Sequence, residues 1–223
     1  EVTMSLLEKI GQFEAQVAII GLGYVGLPLA VTVAQAGYRV VGIDVSQRAV
    51  DMVNAGRSHI GDVGNEEVAR LVQRGRLRAT TDYAAVRDCD VVVICVPTPL
   101  DRNHEPDISY IVAAGRGIAA HMHPGQLIAL ESTTYPGTTE EDLLPILASS
   151  GLEPGCGFFL AFSPERVDPG SKDWNTRTTP KVVGGLTPAC QEAAVAFYSR
   201  VVDRVVPVSS PRAAEMTKIF ENT

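Results

Sequence analysis

Residues 17–30 run Val-Ala-Ile-Ile-Gly-Leu-Gly-Tyr-Val-Gly-Leu-Pro-Leu-Ala, an apolar strand pattern that meets three glycines and continues as an apolar helix pattern. The spacing of Gly21, Gly23 and Gly26 suits a strand-to-helix turn wrapped around a phosphate. Gly21 permits the tight turn, and Gly23 lets the backbone approach a pyrophosphate. Gly26, with Ala30 one turn later, lets the helix lie close against a sheet. Backbone N–H groups at the helix start, around Tyr24 and Val25, lack intrahelical partners and sit at the positive end of the helix dipole. They are the expected phosphate donors.

Glycine-rich turns also serve as plain connections, so the flanking residues decide. A second strand, 39–43, ends at Asp44, about 20 residues beyond the glycines, where a ribose-binding acid belongs. A carboxylate there accepts bonds from ribose hydroxyls and repels the extra phosphate of NADP. Arg48, close by, weakens that exclusion and is counted with the cofactor side. NAD is the expected cofactor; FAD, whose fingerprint is nearly the same, is the rival.

The 223 residues suffice for one large or two small domains with a proper core. A net charge of −7 argues against binding a nucleic-acid backbone. The longest apolar runs, such as 91–96, are far too short for a bilayer span. Residues 1–16 contain acids and lack a signal-peptide core, and Ser5 to Ile10 has the pattern of a short amphipathic helix. Cys89, Cys95, Cys156 and Cys190 show neither metal-ligand spacing nor a disulfide framework. A reduced, cytoplasmic protein without a metal is expected. Cys95, at the end of an apolar strand, is expected to be a packed thiol.

β-rich runs at 17–20, 39–43, 77–80, 90–95, 126–130, 157–162, 181–184 and 204–208 alternate with helical patterns at 24–36, 46–55, 65–74, 82–87, 108–121, 138–149, 188–200 and from 211 onward. Thr187-Pro188 and Ser210-Pro211 are helix-entry pairs, Asp107 precedes an apolar-periodic run, and Thr138 with Glu141 has the spacing of a capping box. Strands that are apolar throughout imply burial on both faces. The expected fold class is therefore α/β: a Rossmann-like, doubly wound, mainly parallel sheet with helices on both faces. The longest irregular stretch, 163–180, has the length of a functional or mobile loop.

Ligands of such sheets bind beyond the carboxyl ends of the strands. The run 90–95 exits into Val96-Pro97-Thr98-Pro99, and 126–130 into the hydroxyl-rich Glu131-Ser-Thr-Thr-Tyr-Pro-Gly-Thr-Thr. The run 157–162 exits into Ser163-Pro-Glu-Arg-Val-Asp-Pro-Gly. Singly, each is ordinary turn chemistry; together, at one sheet edge, they point to a site. Glu215, Lys218 and Asn222 share one face of the last helix.

In combination these segments resemble the UDP-glucose/GDP-mannose dehydrogenase family. IGLGYVGLPLA, GIDV, the TDY at 81–83, CVPTPL, ESTTYPGTTEE, SPERVDPG, PKVVGG and EMTKIFENT carry the likeness almost without a break over 17–223. The resemblance implies an NAD-dependent, two-stage oxidation of a sugar's primary alcohol to a carboxylate, consuming two NAD per sugar, in polysaccharide biosynthesis. SPERVDPG and PKVVGG are similar to the branch acting on UDP-N-acetylhexosamines such as UDP-N-acetylglucosamine. The glucose branch instead carries PEFLREG, whose second glutamate falls on Pro169 here, and usually has lysine where Glu131 stands.

By the same resemblance, Thr133, Glu165, Lys218 and Asn222 match catalytic positions. Glu165 is the expected base that activates water against a thioester. Lys218 and Asn222 would stabilise the developing oxyanion, and Thr133 would hold water and substrate oxygen. Pro97, Thr98 and Thr133 join the cofactor set. The family's nucleophilic cysteine, needed to hold the aldehyde covalently, lies in a GxGxGGxC-type motif, and none of the four cysteines here sits in one.

The expected organisation is an N-terminal extension (1–15), an NAD-binding domain (16–208) and the start of a central helix (209–223). Dimerising and UDP-binding domains would follow in a homodimeric full-length protein, and the fragment alone would be inactive. Two alternatives stand beside this: a 3-hydroxyacid-type dehydrogenase, and a non-catalytic nucleotide-binding regulator.

Overall fold

A computed structural model of the chain describes residues 4–100, 106–165 and 176–221. Among these, one sheet contains β1 (Gln16–Ile20), β2 (Arg39–Ile43), β3 (Leu77–Thr80), β4 (Val91–Ile94), β5 (Leu127–Leu130), β6 (Phe159–Phe162), β7 (Lys181–Gly185) and β8 (Val205–Val208). Their order is β3-β2-β1-β4-β5-β6-β7-β8. Every neighbouring pair is parallel except β6 and β7, which pair antiparallel with Phe162 opposite Gly184. The reversal puts the first residue of β7, Lys181, at the edge where β1, β4, β5 and β6 end.

Successive strand residues face opposite ways, so strands apolar throughout feed two cores. Val17, Ile19, Val91 and Val93 pack on one face with α2 (Gly26–Ala36) and α7 (Pro188–Val201). Ala18, Ile20, Val92 and Ile94 pack on the other with α5 (Ser109–Ala119), α6 (Leu144–Ala148) and α8 (Pro211–Glu221). Each fully buried Leu, Val or Ile in these layers contributes about 1.5–3 kcal/mol. That burial holds the glycine turn and strand exits on a rigid frame.

The opening stretch forms the expected short helix, α1 (Leu6–Gly11), with Ser5 and Glu8 in a reciprocal capping box. Its Ile10 is buried, and Lys9 reaches Asp90 at 2.6 Å. Helices α3 (Gln47–Asn54) and α4 (Asn65–Gln73) flank the β2–β3 end of the sheet. A 3-10 helix, Tyr83–Asp88, fills the 82–87 pattern, and Asp82 caps it by accepting from the Ala84 N–H.

Two helix starts behave as read. Thr187 accepts from the Cys190 N–H ahead of α7, and Ser210 from the Ala213 N–H ahead of α8. Asp107 accepts from the Ser109 N–H at the start of α5. The Thr138–Glu141 capping box does not form. Gly137, in the left-handed region at φ 107°, is the cap residue, and the segment opens as a π-helical turn, Thr138–Leu143, before α6. The Thr138 hydroxyl donates to the Tyr135 carbonyl, and Glu141 pairs with Arg212. Two N–H groups of the turn, those of Gly137 and Thr139, are capped from α8. Glu215, fully buried, accepts from Gly137 N at 2.5 Å, Thr139 N at 3.0 Å and Thr139 Oγ1 at 2.6 Å.

Candidate cofactor and catalytic site

The backbone ladder continues one residue beyond the strands. Asp44 N donates to Thr80 O, Gly21 N to Ile43 O, Cys95 N to Ile20 O, Glu131 N to Ile94 O, and Ser163 N to Leu130 O. Asp44, Gly21, Cys95, Glu131 and Ser163 therefore stand side by side along the carboxyl edge. At the usual ~4.8 Å strand spacing, Ser163 lies about 14 Å from Gly21.

Gly21 has φ +90°, and a Cβ there would lie 2.8 Å from Cys95 O. A Cβ on Gly26 would fall 1.7 Å from Gly21 O, so the helix can start only where that side chain is missing. Gly23 differs: a Cβ there would meet nothing within 4 Å. The structure itself does not require Gly23 to be glycine, whereas a group seated on the turn would. Asp44 ties the turn to the end of β2, accepting from Leu22 N at 2.7 Å and from Ser46 N at 2.8 Å. His59 adds a second tie, Nε2 to Leu22 O at 2.7 Å. Tyr24 (70% exposed) and Val45 (88%) stand open at the mouth beside exposed Arg48, and Val25 forms the helix cap. An open cradle with an acid at the adjacent strand end fits a dinucleotide.

The next two exits are stitched together. Thr98 Oγ1 donates to Thr133 O at 2.5 Å, and Ser132 Oγ to Val96 O at 2.7 Å. Ser132 and Thr134 are buried while Thr133 between them is exposed, as is Pro97. Deeper lies a group that the strand-end reading passed over. Lys181 Nζ is 2.6 Å from Glu131 Oε2 and 3.5 Å from Glu165 Oε2, and Tyr198 on α7 donates its hydroxyl to Glu131 Oε1 at 2.6 Å. Lys181, Glu131 and Tyr198 are buried, and Glu165 keeps 13% of its side chain exposed.

Burial pushes the Glu131 carboxyl up and the Lys181 ammonium pulls it back. For Lys181, burial opposes the charge, but Glu131 and Glu165 outweigh it and hold its pKa above the usual lysine range. Burial, reinforced by Glu131, also raises the Cys95 thiol and the Tyr198 phenol well above their ordinary values. Cys95 is thus the packed, inert thiol expected from sequence.

Of the other expected site residues, Glu165 stands two positions past Ser163 at the β6 exit, and Lys218 is half-buried on α8, one turn after the Glu215 anchor. Glu215 itself faces inward as a cap, so the polar face read on the last helix is partly structural. Asn222 lies outside the described residues, as does 166–170 of the SPERVDPG segment, Pro169 included. Lys181, Tyr198 and His59 were missed. A lysine opening the apolar run Lys181-Val-Val-Gly-Gly was the available signal for the first.

The glycine turn, the acid after β2 and the sheet order together define the dinucleotide-binding domain of a dehydrogenase. Residues 15–202 match the NAD binding domain of the UDP-glucose/GDP-mannose dehydrogenase family, and the chain belongs to that family. NAD, and not FAD, is its cofactor. The chain is 36% identical over 212 residues to the UDP-N-acetyl-D-glucosamine 6-dehydrogenase of Pseudomonas aeruginosa, across 94% of this chain and 49% of that protein. It is 37% identical over 218 residues to the UDP-N-acetyl-D-mannosamine dehydrogenase of Salmonella typhi, across 93% and 50%. The solved NDP-N-acetyl-D-galactosaminuronic acid dehydrogenase of Methanosarcina mazei Go1 superposes with a TM-score of 0.86 at 34% identity, over 99% of this chain and 50% of that one. The chain spans about half the length of the curated relatives it matches. Among the described residues no helix is long and apolar enough to cross a membrane.

Proposed function

We propose that this chain is the NAD-binding part of a nucleotide-sugar 6-dehydrogenase that oxidises the primary alcohol of a UDP-N-acetylhexosamine, UDP-N-acetylglucosamine foremost, to the carboxylate. The observation that carries the reading is the shared sheet edge, where an open dinucleotide cradle lies beside the Thr133 loop and Glu165. Bound NAD supplies the hydride acceptor, twice per sugar. Thr133, exposed between the buried Ser132 and Thr134, holds water and substrate oxygen. Lys218, with Asn222, donates to the oxygen that gains negative charge as hydride departs. Glu165, the more exposed of the two carboxylates in the buried cluster, takes a proton from the water that hydrolyses the thioester.

That thioester needs a cysteine nucleophile, and Cys95 is too deeply buried and too firmly protonated to serve. The nucleophile and the UDP-binding surface are assigned to a region beyond residues 16–208, with 209–223 beginning the connecting helix and 1–15 an N-terminal extension. The fragment alone is expected to bind NAD without turning over sugar. A cytoplasmic homodimer is the proposed setting for the full-length protein.

The test is NADH formation by the full-length protein with UDP-N-acetylglucosamine, UDP-N-acetylmannosamine, UDP-glucose and a free 3-hydroxyacid. Two NADH per acetylated sugar is the expected result. Turnover of the hydroxyacid alone, or of no substrate in a folded, NAD-binding protein, refutes the reading.

A further inference from the structure

The buried cluster behind Glu165 contains one cation and two carboxylates. We propose that Lys181, clamped between Glu131 and Glu165, is a positioning residue that fixes the Glu165 carboxylate at the β6 exit and keeps it charged. Its role as the partner of a catalytic base rests on the reading of Glu165 above.

Three observations carry the proposal. The antiparallel β7 brings a lysine to the edge where β1, β4, β5 and β6 end, and only 4% of that side chain is exposed. Its ammonium touches both carboxylates, Glu131 at 2.6 Å and Glu165 at 3.5 Å. Glu131 is held from its other side by the Tyr198 hydroxyl at 2.6 Å, so the deep end of the cluster is fixed while Glu165 keeps 13% of its side chain exposed. A buried ammonium is costly unless paired, and here the pairing aims it at Glu165.

The titratable groups around Glu165 include Lys181 from β7, Glu131 from the β5 exit, Cys95 from the β4 exit and Tyr198 from α7. Burial keeps Cys95 and Tyr198 protonated and neutral across the working range. Lys181 and Glu131 therefore act on the Glu165 charge with opposite signs. Loss of the ammonium makes the carboxylate harder to form. Loss of the Glu131 charge makes it easier, because a negative neighbour disappears and the ammonium is left to Glu165.

The test is a titration of Glu165 in the full-length protein with 13C-labelled glutamate carboxyls, its signal identified by its loss in E165Q. In K181M the midpoint is expected to rise by about one pH unit or more, the usual size of such a neighbour's effect. In E131Q it is expected to fall, and K181R, which keeps the charge, stays near wild type. The double variant E131Q/K181M leaves no lone buried charge and is expected between the two singles. NAD binding by each variant establishes that the sheet edge is intact. If K181M does not bind NAD, E131Q decides alone: a fall supports the proposal, and a rise or no change overturns it. Shifts of the same sign in E131Q and a folded K181M also overturn it, as does an unmoved midpoint in K181M. The acid limb of the kcat profile follows the same signs. A protein that titrates as expected yet oxidises no UDP-sugar fails the functional reading and leaves the clamp standing.

Discussion

Gly23 and Gly26 belong to one motif but answer to different demands, and alanine separates them. In G26A the new Cβ falls 1.7 Å from Gly21 O and 3.2 Å from Cys95 Cβ, so the turn must open by more than an ångström. That backbone shift, in a frame packed on both faces, is expected to cost about 2–3 kcal/mol of stability, within the range for overpacked sites. It should also abolish NAD binding. In G23A the Cβ meets nothing within 4 Å, and Gly23 is not among the glycines with positive φ. Loss of glycine's freedom in the unfolded chain should leave stability unchanged or raised by about 0.4–1 kcal/mol. The same methyl occupies the space through which a pyrophosphate would approach, so NAD affinity should fall by about 30-fold or more, roughly 2 kcal/mol. Urea unfolding and calorimetric titration with NAD read the two quantities separately. G23A protein that binds NAD as tightly as wild type would show that the cofactor does not lie on this turn. G23A protein destabilised as much as G26A would show that the cradle is not open.

Three further outcomes follow from single contacts. E215A removes the acceptor of two backbone N–H groups and the Thr139 hydroxyl, about 1–3 kcal/mol each, and should lower Tm by about 10 °C or more, with E215Q intermediate. A melting curve of E215A within about 2 °C of wild type contradicts the capping role. D44N cannot accept from both the Leu22 and Ser46 N–H groups, so NAD should bind at least about tenfold more weakly while its margin over NADP narrows; an unchanged ratio of Kd values argues against Asp44 as the ribose-side acid. Of the four thiols, Cys156 is exposed while Cys89, with its pKa pushed to about 12 by burial, Cys95 and Cys190 are enclosed. A thiol-exchange reagent at pH 8 should therefore release one equivalent quickly and the other three only on unfolding, and a second fast equivalent would mean that a core thiol is open.

What could be read from the chain, and what could not, divides along a physical line. The central strands β1, β4 and β5 were legible because burial on both faces makes them apolar almost throughout, and the glycine turn because its spacing is dictated by backbone geometry. Local entry chemistry at Thr187 and Ser210 was legible for the same reason. The reading failed where a partner arrives from a distant part of the sequence. Thr138 and Glu141 had a valid local pattern, but their N–H groups go to the Tyr135 and Gly137 carbonyls, while Glu215, from a helix more than seventy residues away, accepts from the Gly137 and Thr139 N–H groups on either side of Thr138. A buried carboxylate that accepts three bonds fixes how this turn opens, and the Thr138 hydroxyl donates back to the Tyr135 carbonyl instead of capping Glu141.

Lys181 marks the same limit more sharply. The rule that ligands gather at strand carboxyl ends directs attention to the residues that follow β4, β5 and β6. Strand direction is not written in a short apolar run, since Lys181-Val-Val-Gly-Gly reads alike either way up. Once β7 is reversed, its first residue joins the edge, and a lysine that looks like a solvated strand start becomes a buried counter-charge to Glu131 and Glu165. The charge pattern carries the information only as a pair: Glu131 at the foot of one loop is tolerable because a cation elsewhere in the chain is delivered to it. The reversal at β7, which β8 follows, thus turns an ordinary doubly wound edge into one with an internal charge clamp, and that difference sets the surroundings of Glu165.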